Sequence, residues 1–402
     1  AFTDEHKMIR DTVESFLTEN STSAAVRTAM ATELGYDTAL WHTICRDLYW
    51  QATHIPEEYG GLGLGYVELV AMLEQMGRVL LCAPFYSTVC LATNALLVAG
   101  NEQQKAEYLP KICEGATATL AWAGKQAGNV GGQWDASTVE ATATTQGDGY
   151  VLNGSYRYVV DGASAEWLIL AARTPGSVGD NGISLFIVNA NQAGITRTWL
   201  PTMDQTRKQA DISVQNVQVS SDAMLGQCGT AAAALSTVLN LAAIALSAEQ
   251  MGGAQQCLDM AVAYTKERVQ FGRQIASFQA IKHKAADMMT RVEVARSGVY
   301  YAACVAQEKL DALAGLSAPL AGELHEAASV AKSYCSDVYF KNAGDALQMH
   351  GGVGFTWEYD VHLHFKRAKA SEHFLGNGAY HRDRLAALLL DGDDAVSNSV
   401  AQ

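Results

Sequence analysis

The sequence predicts a mostly helical α+β fold in three parts, and three observations carry that prediction. Up to about Gly115, apolar residues recur at three- and four-residue steps. From there to about Leu225 they alternate in short runs rich in Thr, Val, Tyr and Ile, separated by turns such as Gly147-Asp148-Gly149 and Asn153-Gly154. Beyond Gly226 the helical period returns and turn residues thin out. Apolar spacing follows element geometry, about 3.6 residues in a helix and two in a strand, so each change of period marks a change of architecture. The expected parts are an N-terminal helical domain over 1–115, an antiparallel β-barrel or sandwich over 116–225, and a C-terminal helical bundle over 226–390. A polar tail over 391–402 has no periodicity and is expected to be flexible.

In the first part, helices are predicted over 3–18, 38–50, 66–80, 87–99 and 101–108, with breaks at Ser21–Ser23 and at the glycine-rich Tyr59–Gly65. The glycines of GGLGLG have the wrong spacing for a dinucleotide fingerprint and follow Pro-Glu-Glu rather than a strand, so a loop leading into the next helix is predicted. Seven strands are predicted in ATATLAWAG, TVEATATTQ, YVLNGSYRYVV, WLILAAR, ISLFIVNA, ITRTWL and DISVQNVQV. The bundle reads as helices over 230–267, 275–309, 318–350, 357–368 and 377–391.

Composition excludes several classes. With 42 acidic against 28 basic residues, the net charge of −14 repels phosphate backbones, so nucleic acid is not an expected partner. The most apolar run, Ala231–Ala248, is broken by Ser, Thr and Asn and is alanine-rich, which predicts a buried bundle helix rather than a membrane span. Charges occupy the N-terminal stretch where a signal peptide needs its apolar segment, which suggests a cytoplasmic protein. The eight cysteines show no C-x-x-C and no metal spacing, so reduced core thiols are expected. His362 and His364 point nearly opposite ways on a helix, and no metal site is expected.

The chain is organised around Tyr264–Met289, YTKERVQFGRQIASFQAIKHKAADMM, and its counterpart Leu347–Lys369, LQMHGGVGFTWEYDVHLHFKRAK. In the first, one helix ends at Phe271-Gly272 and another begins. Gly272 permits a tight turn, and Arg268 and Arg273 place guanidinium forks beside it that suit a phosphate or pyrophosphate. These two motifs, with IPEEYGGLGLGYVELVAMLEQMGR at Ile55–Arg78, resemble the signatures of the acyl-CoA dehydrogenase family of flavoproteins, and the resemblance covers almost all of residues 1–390.

That resemblance implies a β-domain between two helical ones and an FAD lying extended at a subunit interface. The matching positions are Arg268, Phe271, Ile275 and Gln279 in the first motif and Gln348, Gly351 and Gly352 in the second. Where relatives place Trp-Ile-Thr-Asn-Gly against the flavin ring, this chain has Tyr158-Val159-Val160-Asp161-Gly162, so Tyr158 keeps an aromatic face and Val160 lacks the hydroxyl. Gly124-Lys125-Gln126 replaces the usual Thr-Glu-Pro.

The family reaction, α,β-desaturation of an acyl-CoA thioester, needs a carboxylate base for the α-proton. Most relatives place a Glu where this chain has Leu375, and a minority place it at the position of Ala242, where the neighbouring Arg is also replaced by Ala243. Glu249, Glu372 and Asp161 remain as weak substitutes, with His350 and His373 further outsiders. Glu249 is expected to begin a turn, and Glu372 to pair with Lys369 at the surface. The implied partners are an acyl-CoA substrate, an electron-transfer flavoprotein as acceptor, and sister chains in a homotetramer or heterotetramer. WLPTMDQTRKQA and FTWEYDVHLHFKRAKASE resemble the bacterial steroid and side-chain degradation branch, in which a chain without a base pairs with a complete homologue. The alternatives are a flavin monooxygenase on the same fold and a purely structural partner subunit.

Overall fold

A computed structural model describes residues 3–128 and 132–391. The first part holds α1 (Asp4–Asn20), α2 (Ser23–Ala31), α3 (Thr38–Arg46), α4 (Tyr66–Arg78), α5 (Asn94–Ala99) and α6 (Glu102–Cys113). Helix α2 begins inside a predicted break and continues where no helix is expected, because its alanines and threonines set no apolar period; the Thr22 side chain caps it by accepting from the Ala25 backbone N–H. Ahead of α5, Tyr86–Thr93 winds as a fully buried π-helix, a form that no apolar spacing announces.

The middle part contains β1 (Ala118–Ala121), β2 (Thr142–Gln146), β3 (Gly149–Val160), β4 (Trp167–Arg173), β5 (Ile183–Asn189), β6 (Ile195–Trp199), β7 (Gln209–Ser220) and β8 (Met224–Leu225). Their order is β6-β7-β3-β2-β4-β5-β8, with β1 beside β4. The sheet is mixed, which corrects the expectation of antiparallel pairing throughout: β1 runs parallel to β4, Ala118 opposite Trp167. Parallel neighbours need a long crossover, and the β2–β3 hairpin lies within the one that joins β1 to β4. Alternation within a strand reports which faces are buried, not the direction of its neighbour.

The bundle is built on α7 (Ala232–Glu267), followed by a small hairpin of β9 (Val269–Gln270) and β10 (Arg273–Gln274), then α8 (Gln279–Leu313), α9 (Leu324–His350), α10 (Val361–His373) and α11 (Gly378–Asp391). Two glycines let α4 cross α7 backbone to backbone. A Cβ at Gly252 would lie 1.8 Å from the Glu74 carbonyl oxygen, and one at Gly77 would lie 2.1 Å from that of Glu249. By length and composition α7 passes for a membrane span, but 67% of its most apolar window is buried inside the fold. Cys45, Cys82, Cys90, Cys257 and Cys335 are buried thiols; Cys228 and Cys304 are exposed, which corrects the expectation that all eight lie in the core. The expected flexible tail lies, from residue 392 on, outside the described residues.

Candidate active site

Leu375 sits in the short loop between α10 and α11, 4% exposed, with its backbone in the left-handed region at φ +62°. Two buried groups hold this loop. Lys332, on α9 and fully buried, donates from Nζ to the carbonyls of Ser371 (3.0 Å), Glu372 (3.1 Å) and Gly376 (2.8 Å). His381 donates from Nε2 to the Leu375 carbonyl at 2.8 Å, which fixes its tautomer because a carbonyl only accepts. Burial pulls the Lys332 ammonium down to about 7. Burial, with the Lys332 and Arg384 charges adding to it, holds His381 well below the usual imidazole range.

Beside Leu375, the Phe374 ring packs among Trp134 (5.2 Å between centroids), Trp122 (6.2 Å) and Tyr86 (6.3 Å). Tyr86, from the π-helix, donates its hydroxyl to the Ala242 carbonyl at 2.8 Å. Tyr86 thus links Ala242 to Phe374, the residue before Leu375, and Ala242 and Leu375 are both apolar. Ala242 is fully buried.

Each carboxylate weighed as a substitute is engaged elsewhere. Glu249 lies in the middle of α7 rather than at a turn, because the helical run continues unbroken to Glu267. Both its oxygens accept from Arg207 at 2.7 Å, and the Arg207 guanidinium rests 4.6 Å above the Tyr86 ring. Glu372 accepts from Lys369 Nζ at 2.9 Å. Asp161 is buried and accepts from the Ser87 hydroxyl at 2.6 Å. Burial pushes its carboxyl up to about 6, against the lowering effect of Ser87, Arg207 and Arg367. Arg367 in turn pairs with Asp204 at 2.7 Å, both about 5% exposed. His373 is exposed, while His350 is buried and stacks on Tyr264 at 4.4 Å.

The positions matched to the flavin signatures lie mostly on the surface. Arg268, Phe271, Gln279, Gln348, Gly351 and Gly352 are exposed and Ile275 is half-buried. Phe271 and Gly272 form the two-residue turn of the β9–β10 hairpin, at φ +56° and +75°. Arg268, at the end of α7, shares a cleft of about 440 Å³ with His350 and Val353, so the two motifs adjoin within a single chain. No carboxylate among the described residues lies within ion-pair distance of Arg268. Arg273 instead stacks 4.0 Å over the Phe278 ring. In the middle part Tyr158 is half-buried at φ +60°, 5.8 Å from Trp134. Val160 is buried, and its carbonyl accepts from the Thr119 hydroxyl at 2.7 Å. The Gln126 N–H of the Gly124-Lys125-Gln126 segment donates to Glu140. Among the described residues, no group of three or more His, Cys, Asp or Glu is placed to hold a metal. His362 and His364 bond instead to the Tyr359 carbonyl and the Tyr339 hydroxyl.

Sequence reasoning missed Tyr86, Arg207, Lys332 and Arg384. Arg207 lies inside the WLPTMDQTRKQA stretch marked by its resemblance, but Lys332 falls in an ordinary helical run and its burial has no local signal.

The profile described as "Acyl-CoA dehydrogenase, N-terminal domain" matches residues 3–116, and that described as "Acyl-CoA dehydrogenase, C-terminal domain" matches residues 231–390. The chain belongs to the acyl-CoA dehydrogenase family. Acyl-CoA dehydrogenase IpdE2 of Mycolicibacterium smegmatis is 31% identical over 384 residues, covering 96% of this chain and 98% of its own. Probable acyl-CoA dehydrogenase FadE25 of Mycobacterium tuberculosis is 32% identical over 348 residues, 84% of either chain. A solved structure of the Tcur3481-Tcur3483 steroid ACAD superposes with a TM-score of 0.83 at 27% identity, covering 98% of this chain and 100% of that one. As a member of the acyl-CoA dehydrogenase family the chain is a flavin-dependent oxidoreductase with the three-part fold of that family.

Proposed function

We propose that this acyl-CoA dehydrogenase family chain binds FAD at a subunit interface, takes an acyl-CoA thioester, and lacks an α-proton base of its own, working beside a homologous chain that supplies one. The observation that carries this reading is the apolar, buried pair Leu375 and Ala242, with Glu249, Glu372 and Asp161 held by Arg207, Lys369 and Ser87. Both oxygens of Glu249 are taken up by the Arg207 guanidinium, a charge-assisted contact that a base would have to give up. The relationship to a steroid enzyme named by two gene products supports a heteromeric assembly.

The residues present fit a dinucleotide. Arg268 has a guanidinium fork for a pyrophosphate, Gln279 and Gln348 offer amide hydrogen bonds, and Gly351 and Gly352 offer open backbone, where a Cβ would meet nothing within 4 Å. Tyr158 and Val160 would lie against the ring, Val160 without a side-chain hydrogen bond to it. When bound, the flavin supplies the hydride acceptor. Phe271 in the first motif and Phe355 and Trp357 in the second, 90%, 72% and 57% exposed, are apolar side chains that a second chain would cover. An electron-transfer flavoprotein would then reoxidise the enzyme.

The test is a dye-linked reduction assay of the flavin-loaded chain, alone and with candidate partner chains, over a panel of fatty and steroid acyl-CoA thioesters. Slow turnover alone and fast turnover in the pair is the expected result. Rapid turnover by the single chain, abolished by Glu249→Gln or Glu372→Gln, would show that the base has moved instead.

A further inference from the structure

Behind Leu375 lies a narrow cleft of about 30 Å³ lined by Trp134, Asp135, Asn240, Tyr380 and Arg384, among others. Arg384 is out of place there. It projects from α11 into the bundle, and burial lowers its affinity for its proton. No carboxylate among the described residues is within ion-pair distance of it. Its hydrogen-bond partners are neutral, the Asn240 side-chain oxygen at 2.9 Å, His325 Nδ1 at 2.7 Å and His381 Nδ1 at 3.3 Å, and the Asp135 charge acts on it from beyond ion-pair distance. Burial, with the Arg384 charge adding to it, holds His325 down to about 4, so it stays uncharged at neutral pH. Of a guanidinium's five donors, three are thus engaged. A half-buried cation with donors to spare at the wall of a cleft has room for a further acceptor.

We infer that Arg384 anchors a carbonyl oxygen of the bound substrate, other than the thioester oxygen, in the cleft behind Leu375. Size and charge select a carbonyl over a carboxylate. The cleft has room for about one water-sized group, and Asp135, which accepts from the Tyr380 hydroxyl at 3.2 Å, would repel an anion. Coenzyme A phosphates sit at the far end of the pantetheine arm and cannot share a pocket that abuts the reacting carbons. Two carbonyl sources remain: a keto group on the acyl chain, or an amide of the pantetheine arm. The inference rests on the acyl-CoA reading above.

The experiment is calorimetric binding to the flavin-loaded protein of three ligands: hexanoyl-CoA, 5-oxohexanoyl-CoA, and the hexanoyl thioester of N-acetylcysteamine, which lacks the outer pantetheine amide. Wild-type protein is compared with Arg384→Met. If the acyl chain is the source, wild type prefers the oxo ligand by roughly tenfold, as one hydrogen bond to a charged group supports, and the variant loses that preference. If the outer pantetheine amide is the source, the variant weakens both CoA thioesters by a similar factor and leaves the short thioester unchanged; if the inner amide is, all three weaken alike. Wild-type affinity for all three ligands in the variant overturns the inference while leaving the acyl-CoA reading intact. Absence of thioester binding by wild-type protein sinks that reading and the inference with it. Should Arg384→Met not fold, Arg384→Lys keeps the charge without the planar fork. The same losses are then expected at several-fold, and wild-type affinities overturn the inference equally.

Discussion

Replacing Leu375 by Glu should give this chain a base and, with it, a pH signature that nothing else would mimic. The backbone there is at φ +62°, a conformation as strained for Leu as for Glu, so the substitution adds no backbone cost. A positioned base contributes about 10²–10⁴-fold, equivalent to roughly 3–5 kcal/mol of barrier. Against this stands burial. Leu375 is only 4% exposed, so a carboxyl there titrates above its usual value. For an upward shift of about two units, ionising the buried group costs about 2.7 kcal/mol of stability. The sign follows from proton counting: between the unfolded pKa, about 4.3, and the higher folded value, the folded protein holds the extra proton. Stability of Leu375→Glu should therefore fall relative to wild type as pH rises through that window and stay low above it, while turnover rises through the same window. Thermal melts and dye-linked turnover of the flavin-loaded variant from pH 5 to 9 measure both curves. A folded, flavin-loaded variant that is no faster than wild type at any pH would refute the reasoning.

Other outcomes follow from the same geometry. Asp161→Asn keeps an acceptor for Ser87 and removes a buried carboxyl pushed from 3.8 up to about 6. Wild type loses stability as pH climbs through that range, so the variant should be the more stable above pH 6, by up to about 3 kcal/mol, and gain nothing at pH 4; melts at the two pH values check it. Arg207→Ala strands Glu249, whose side chain is 8% exposed, and should cost about 3–5 kcal/mol by denaturant unfolding, part of it recovered when Glu249→Gln is added. Arg268→Ala should weaken FAD by roughly ten- to a hundredfold, read by flavin fluorescence, without lowering the melting temperature of the flavin-free protein, since Arg268 is exposed.

The fold was legible where elements are long or continuously apolar, as in helix α7, from Ala232 to Glu267, and in the run WLILAAR of β4. Helix α2 was not, because alanine and threonine carry too little apolar contrast, and the partner of β1 was not, because strand pairing is decided far away in sequence. At the candidate site, only the family resemblance singles out Leu375 and Ala242. What the sequence hid was convergence: that Tyr86, on a π-helix, bonds the Ala242 carbonyl and packs on Phe374 beside Leu375, that Arg207 reaches Glu249 across 42 residues, and that Lys332 reaches the 371–376 segment from α9.

The Lys332 contacts bear on how such a chain changes over evolutionary time. Lys332 and His381 grip the loop through the carbonyls of residues 371, 372, 375 and 376, and carbonyls are the same in every amino acid. These contacts therefore do not depend on which side chain stands at position 375. After a gene duplication, one copy could exchange one side chain for another there without losing these contacts. Two sister chains could then drift apart in chemistry while remaining interchangeable in shape, which is the condition for a mixed assembly to arise from a uniform one.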